Sequence, residues 1–227
     1  MRFAVSMMQR RVEAPAARRL PRSRRAAVAA LAVFGIAGLA TGVQAQTLAS
    51  LPTEAGARVQ GDAKPIAAWT TFCQNYAAEC ALDRGEPARI SLTPATWATI
   101  VSVNRRVNKA VEPMTDQDHL HVADRWDLAE DGIGDCEDFQ LLKRHLLAQA
   151  GLPRRAMRMT VVIDEKGEGH AVLTLITDRG DLVLDNKTNA ILPWHKTGYV
   201  FIKRESQDAV AWVSLGGVTS PVTTANR

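Results

Sequence analysis

The chain has 227 residues, 28 of them basic and 24 acidic, for a formal net charge of +4. Eight of the arginines and a single acid lie in residues 1–45, so the remainder holds 20 basic against 23 acidic residues, a net of −3. Basicity confined to one end gives no electrostatic footprint for nucleic acid, and roughly 180 residues beyond it are enough for one domain with a real core.

Residues 1–45 read as an export signal. An arginine-rich start precedes an apolar run over 26–40, which ends at the small-residue signature Val43-Gln44-Ala45. A membrane span needs about 20 apolar residues, and this run is shorter. Cleavage after Ala45 and a periplasmic or secreted, non-spanning mature protein are expected. An uncleaved anchor is the alternative, Met7 and Met8 are rival starts, and Ser23-Arg24-Arg25 is a weak twin-arginine signal.

Beyond the signal, residues 46–64 are polar and Gly/Ala-rich, which predicts a flexible arm ahead of a single domain over 65–227. A short helix is expected over 65–73, leading into a loop that Cys73 and Cys80 can close as a disulfide in an oxidising compartment. Pairing of either with Cys136 remains open on sequence grounds. Thr93-Pro94 reads as N-cap and first helical position, followed by a helical apolar stripe from Trp97 to Val111. An acid-rich loop with His119 and His121 runs to Ala129. Asp135 is a competent N-cap for the next helix, with Glu137 and Asp138 in the first turn and Phe139, Leu142, Leu146 and Ala150 on one face. Gly151 and Pro153 end it. Strands are expected over 157–163, 170–176, 182–185, 199–203 and 210–215, with connectors at 164–169 and 177–180. Helices followed by an antiparallel meander give the α+β class.

Cys136 is the odd cysteine, placed at a helix start where unpaired N–H groups and the dipole favour a thiolate and can hold an oxyanion. A thiol nucleophile needs an imidazole base and a group to orient it. His170 opens one expected strand and Asp185 closes the next. If Ile176 faces Asp181 across a loop over 177–180, Asp185 faces Val172 and becomes a diagonal neighbour of His170; a tighter Arg179-Gly180 turn would place it opposite Thr174, out of reach. His145, about 13 Å along the helix and on its opposite face, is excluded as the base. His195 is read as a surface residue, the five tryptophans as core or cleft lining. Asn104 and Asn108 are candidates for positioning or oxyanion donation.

These motifs in combination resemble the bacterial transglutaminase-like cysteine proteinases. The resemblance is carried by Gly132-x-Gly134-Asp135-Cys136-Glu137-Asp138, Gly169-His170-Ala171-Val172-Leu173 and Leu182-Val183-Leu184-Asp185-Asn186, with Val103-Asn104, Asn108 and Asp124-x-Trp126. It implies a papain-like, transglutaminase-like α+β fold with a Cys136-His170-Asp185 triad. It also implies a protein or peptide substrate in the cell envelope, with no regulatory partner specified. Some members are periplasmic, calcium-dependent proteases that release surface adhesins; their calcium-binding acids map onto Asp135 and Glu137. Cys73 and Cys80 lie in an extension that departs from those members. Five carboxylates between Glu130 and Asp138 would oppose a thiolate, which a hard cation would offset. Two other outcomes stay open: acyl transfer to an amine through the same thioester, and a non-catalytic module that binds a peptide or envelope component.

Overall fold

The computed structural model describes residues 47, 48, 51, 53 and 55–219, so the expected export signal lies outside the described residues. The elements are β1 (Gly61–Ala63), α1 (Ala67–Asn75), α2 (Ala77–Cys80), α3 (Pro94–Ala110), β2 (Glu112–Pro113), α4 (Asp116–His119), β3 (Ile133–Gly134), α5 (Cys136–Gln149), β4 (Met157–Ile163), β5 (Gly169–Thr177), β6 (Gly180–Leu184), β7 (Leu192–Pro193), β8 (Val200–Glu205) and β9 (Trp212–Thr219). Seven strands form one antiparallel sheet in the order β1-β9-β8-β4-β5-β6-β7, and β2 pairs with β3 in a small parallel ladder. The class is α+β, as the element order implies.

Helix starts follow local chemistry. The Thr93 hydroxyl accepts from the Thr96 N–H at 3.1 Å, and Pro94 fills the first position of α3. At α5, Asp135 is extended, and the Asp138 carboxylate reaches back to the Asp135 N–H at 3.3 Å. The approach leaves no room at Gly134, where an added Cβ would sit 2.8 Å from the Asp138 Cβ. The helix expected at 65 begins at Ala67, because Ile66, following Pro65, remains extended.

Helix α5 packs against both β5 and α3. The single apolar stripe expected for it is therefore too narrow. Phe139, Leu141 and Leu147 are buried, Leu142 and Leu146 are half-buried, Ala150 is exposed, and Gln140, Lys143 and Arg144 are buried as well. A helix covered on two sides buries polar residues that an apolar period does not register. Arg144 donates to Glu205 Oε2 at 2.6 Å, and Glu205 Oε1 accepts from Trp69 Nε1 at 2.6 Å. Trp69, Trp97, Trp126 and Trp212 are core residues.

The described residues of the arm expected over 46–64 form a strap with fixed contacts. Leu51 is buried, Trp194 Nε1 donates to Ala55 O at 3.0 Å, and the Ala57 N–H donates to Asp181 Oδ2 at 3.0 Å. Asp181 also takes Arg204 Nη1 at 2.8 Å. Gly56 passes so close that a Cβ would lie 2.5 Å from Asp181 Oδ1. Residues 61–63 then join the sheet against β9. Polar composition does not reveal such a strap, because its bonds are made by main-chain groups and long-range partners.

Cys73 and Cys80 form a disulfide between α1 and α2. Closing so short a loop contributes about 2 kcal/mol through the unfolded state. The Cys73→Ser/Cys80→Ser double variant is expected to lose that amount in urea unfolding. An unchanged midpoint and slope would show that the bridge adds no stability.

Candidate active site

Cys136 is the first residue of α5 and the free cysteine of the chain, half-buried at the helix start. Its thiol donates to Glu137 Oε2 at 3.1 Å. Burial drives the thiol pKa far above its ordinary range, and the Glu137 carboxylate adds to this by charge and by hydrogen bonding. The main-chain N–H of Ala171 acts the other way. The β5–β6 ladder ends at Leu173 and Leu184, short of Ala171. The helix N-terminus and the Ala171 N–H thus favour a thiolate, and the buried acids oppose it.

His170 and Asp185 are brought together. The pairing sets Ile176 opposite Asp181 and Leu173 opposite Leu184, which is the register that lets Asp185 reach His170. The connector is nevertheless tight, since Thr177 and Gly180 themselves pair. The Thr177 hydroxyl helps close it, donating to Gly180 O at 2.7 Å. His170 Nε2 and Asp185 Oδ1 lie 2.9 Å apart, both buried. Tyr199 donates its hydroxyl to Asp185 Oδ2 at 2.6 Å, and its ring meets the His170 ring edge-on at 5.8 Å. The Lys187 N–H donates to Asp185 Oδ1 at 3.0 Å. Burial alone would raise the Asp185 carboxyl, but the bonds from His170, Tyr199 and Lys187 prevail and hold it below its usual range. Tyr199 escaped the sequence reading because nothing in its spacing links it to a carboxylate 14 positions earlier.

The Asn104 and Asn108 amides are engaged with main-chain oxygens. Asn108 Nδ2 donates to Asp185 O at 2.9 Å and Thr188 O at 3.0 Å, and Asn104 Nδ2 donates to Asn189 O at 3.3 Å. Both fasten α3 to the loop after β6, which fits a positioning role.

The acids near Cys136 divide into two sets. Asp138 Oδ1 accepts from the Asp127 N–H at 2.8 Å, so Asp138 braces the loop. Glu137 converges on one side with Asp116 and Asp124, which the sequence reading did not offer as ligands, and on the other with Asp135 and Cys136. Ligand atoms of Asp116, Asp124 and Glu137 lie within 4.8 Å of one another, as do those of Asp135, Cys136 and Glu137. Asp135 Oδ1 is buried without a hydrogen-bond partner. Burial and neighbouring carboxylates, Asp135 foremost, push Glu137 up to about 10, and burial pushes Asp138 up to about 8. The all-oxygen set of Asp116, Asp124 and Glu137 fits a hard divalent cation, and the Asp135 carboxylate, which holds the orphaned oxygen, lies within 4.8 Å of Glu137. Asp116 opens α4 and Asp124 belongs to the Asp124-x-Trp126 pair, but both lie about 12 to 20 positions upstream of Cys136 in an acid-rich segment where no ligand spacing marks them.

The other histidines lie outside this constellation. His145 Nδ1 is 2.7 Å from Glu79 Oε1, and His119 Nε2 is 3.0 Å from Asp131 Oδ2. His195, expected at the surface, is buried beside the Trp194 ring. A groove of about 410 Å³ between the start of α3 and the end of α5 lies at the other end of α5 from Cys136.

Comparison with curated proteins gives no match. Among solved structures, the chain is similar to calcium-bound LapG of Legionella pneumophila, at 23% identity and a TM-score of 0.46, covering 54% of this chain and 70% of that one. For EGTA-treated LapG of the same organism the values are 25%, 0.42, 48% and 62%, and for a third LapG structure they are 21%, 0.44, 56% and 71%. Residues 59–220 match the family Peptidase_C93, described as bacterial transglutaminase-like cysteine proteinase BTLCP. On that match, which spans most of its length, the chain belongs to the bacterial transglutaminase-like cysteine proteinases and is a cysteine peptidase of transglutaminase-like type.

Proposed function

We propose that Cys136, His170 and Asp185 are the catalytic triad of an exported peptidase that cleaves a polypeptide of the cell envelope. The observation that carries this reading is the buried 2.9 Å contact of His170 Nε2 with Asp185 Oδ1, on the strand that offers the Ala171 N–H to the Cys136 sulfur. With Nε2 committed to Asp185, Nδ1 is the ring nitrogen that takes the thiol proton. The thiolate attacks the scissile carbonyl, and the Cys136 N–H at the start of α5 donates to the oxyanion. The imidazolium returns its proton to the leaving amine as the C–N bond breaks. Water then hydrolyses the thioester with His170 as base, restoring the thiol and releasing the acid. Asp185, kept ionised by Tyr199 and Lys187, holds the imidazolium throughout.

Asp116, Asp124, Asp135 and Glu137 would hold a calcium ion, whose charge would offset the carboxylates that now oppose the thiolate. Export rests on the arginine-rich leader and agrees with the Cys73–Cys80 disulfide. No helix among the described residues is long and apolar enough to cross a membrane.

The test is to add the purified chain to an envelope protein extract with a labelled primary amine and to map new N-termini. A small set of new termini without label is expected. Label without new termini would replace hydrolysis with acyl transfer. Neither, with Cys136 intact, would leave a binding module and sink the proposal.

A further inference from the structure

Lys143 is fully buried in α5, an uncommon place for a lysine, and the triad chemistry gives it no step. Its Nζ donates to the main-chain oxygen of Asp185 at 3.0 Å. The Asn108 amide donates to the same oxygen at 2.9 Å from α3. Lys143 stands seven positions after Cys136 on one helix, two turns along and nearly on the same face. We infer that Lys143 is a positioning residue for the reaction: its amine ties the main chain at Asp185 to the helix that carries Cys136.

This inference rests on the triad reading and extends it. Without the tie, the nucleophile belongs to α5 while His170 and Asp185 belong to β5 and the end of β6. Their relative placement would then depend on general packing, and a shift of about 1 Å suffices to cost much of a reaction's rate. A buried main-chain acceptor bonded by a buried amine is shielded from water, so the tie is not in competition with solvent. The Asp185 carboxylate is the charge that acts on the amine, and α3 contributes the neutral Asn108 amide. Burial nonetheless pushes the Lys143 pKa down to about 7. Charged or neutral, an amine keeps an N–H to donate, so the tie holds on both sides of that value.

The test compares wild type, Lys143→Met, Asp185→Asn and the double variant, all saturated with calcium. One readout is the low-field NMR signal of the proton on 15N-labelled His170 Nε2. A second is the rate at which iodoacetamide alkylates Cys136 at one fixed pH. Methionine keeps the length and apolar stem of lysine and removes a buried amine, so the thermal midpoint should equal or exceed that of wild type. Alkylation should nonetheless slow about tenfold, and the His170 proton signal should weaken or move upfield. Because Lys143 acts through Asp185, the double variant should lie within about twofold of Asp185→Asn alone. A Lys143→Met chain that fails to fold, or that keeps the wild-type signal and rate, overturns the inference. So do multiplicative losses in the double variant. If Asp185→Asn itself leaves both readouts unchanged, what fails is the role of Asp185, and Lys143 loses its object with it.

Discussion

Replacement of Cys136 by alanine is expected to reduce peptidase turnover by at least about a thousandfold, since no second thiol can take over the covalent step. Cys73 and Cys80 are consumed in their disulfide, and Cys136 is the free cysteine of the chain. The fold should persist. The side chain is half-buried at a helix start, and its thiol bonds a carboxylate, Glu137, that is already crowded. Thermal unfolding followed by circular dichroism should shift by no more than about 3 °C. Turnover retained by a folded Cys136→Ala protein would remove Cys136 as the nucleophile. A collapse in the thermal midpoint would recast it as a structural residue.

Calcium removal should have the next largest effect, in stability as well as in turnover. With no cation beside it, Glu137 is pushed up to about 10 and Asp138 to about 8. The folded state then keeps protons that the unfolded chain, with ordinary carboxylates, has released. The stability tied to these groups is fully present below the ordinary carboxylate pKa, near 4, and is lost as pH rises toward about 10. In chelator, the thermal midpoint should therefore fall between about pH 5 and pH 9. Excess calcium should raise the midpoint by more the higher the pH, because it binds the ionised folded form. Turnover at neutral pH should fall by about a hundredfold in chelator and return when calcium is restored. Alkylation of Cys136 should need a higher pH in chelator, since burial and the Glu137 side chain hold the thiol up and no positive charge is left to offset them. The Asp124→Asn variant should weaken the calcium response and leave β4 to β9 folded. Superimposable curves of midpoint, turnover and alkylation, with and without calcium, would make Asp116, Asp124, Asp135 and Glu137 plain loop-bracing acids.

Much of the frame was legible because it is local. Thr93-Pro94 fixes one helix start and Asp135 the other, both through bonds spanning three residues. The span of β4 follows from its apolar run and the turn residues around it, and of the two β5–β6 registers that hairpin arithmetic allowed, the one that brings Asp185 to His170 is formed. What escaped is non-local. Tyr199 meets Asp185 only once β8 has joined the sheet, and Asp116 meets Glu137 because α4 packs against β3, which also contacts α5. Asn104 and Asn108 were found as residues, but their partners, main-chain oxygens of the loop after β6, carry no side-chain signature. The buried face of α5 was misread for the same reason: the lysine, arginine and glutamine that complete it look solvent-facing until their surroundings are known.

The pairing of β1 with β9 joins the beginning of the described chain to its end, with Gly61 opposite Ser214. A chain made or threaded from its N-terminus presents that first strand long before its seat exists. The strap over 55–60 waits as well, because Asp181 and Trp194, which receive it, come late. The sheet is therefore completed outside-last, by a contact between distant segments that forms slowly and rewards nothing until the final hairpin is in place. A chain that stopped short of Trp212 would leave the edge of β8 bare and its own first strand without a partner, an open edge of the kind that invites aggregation.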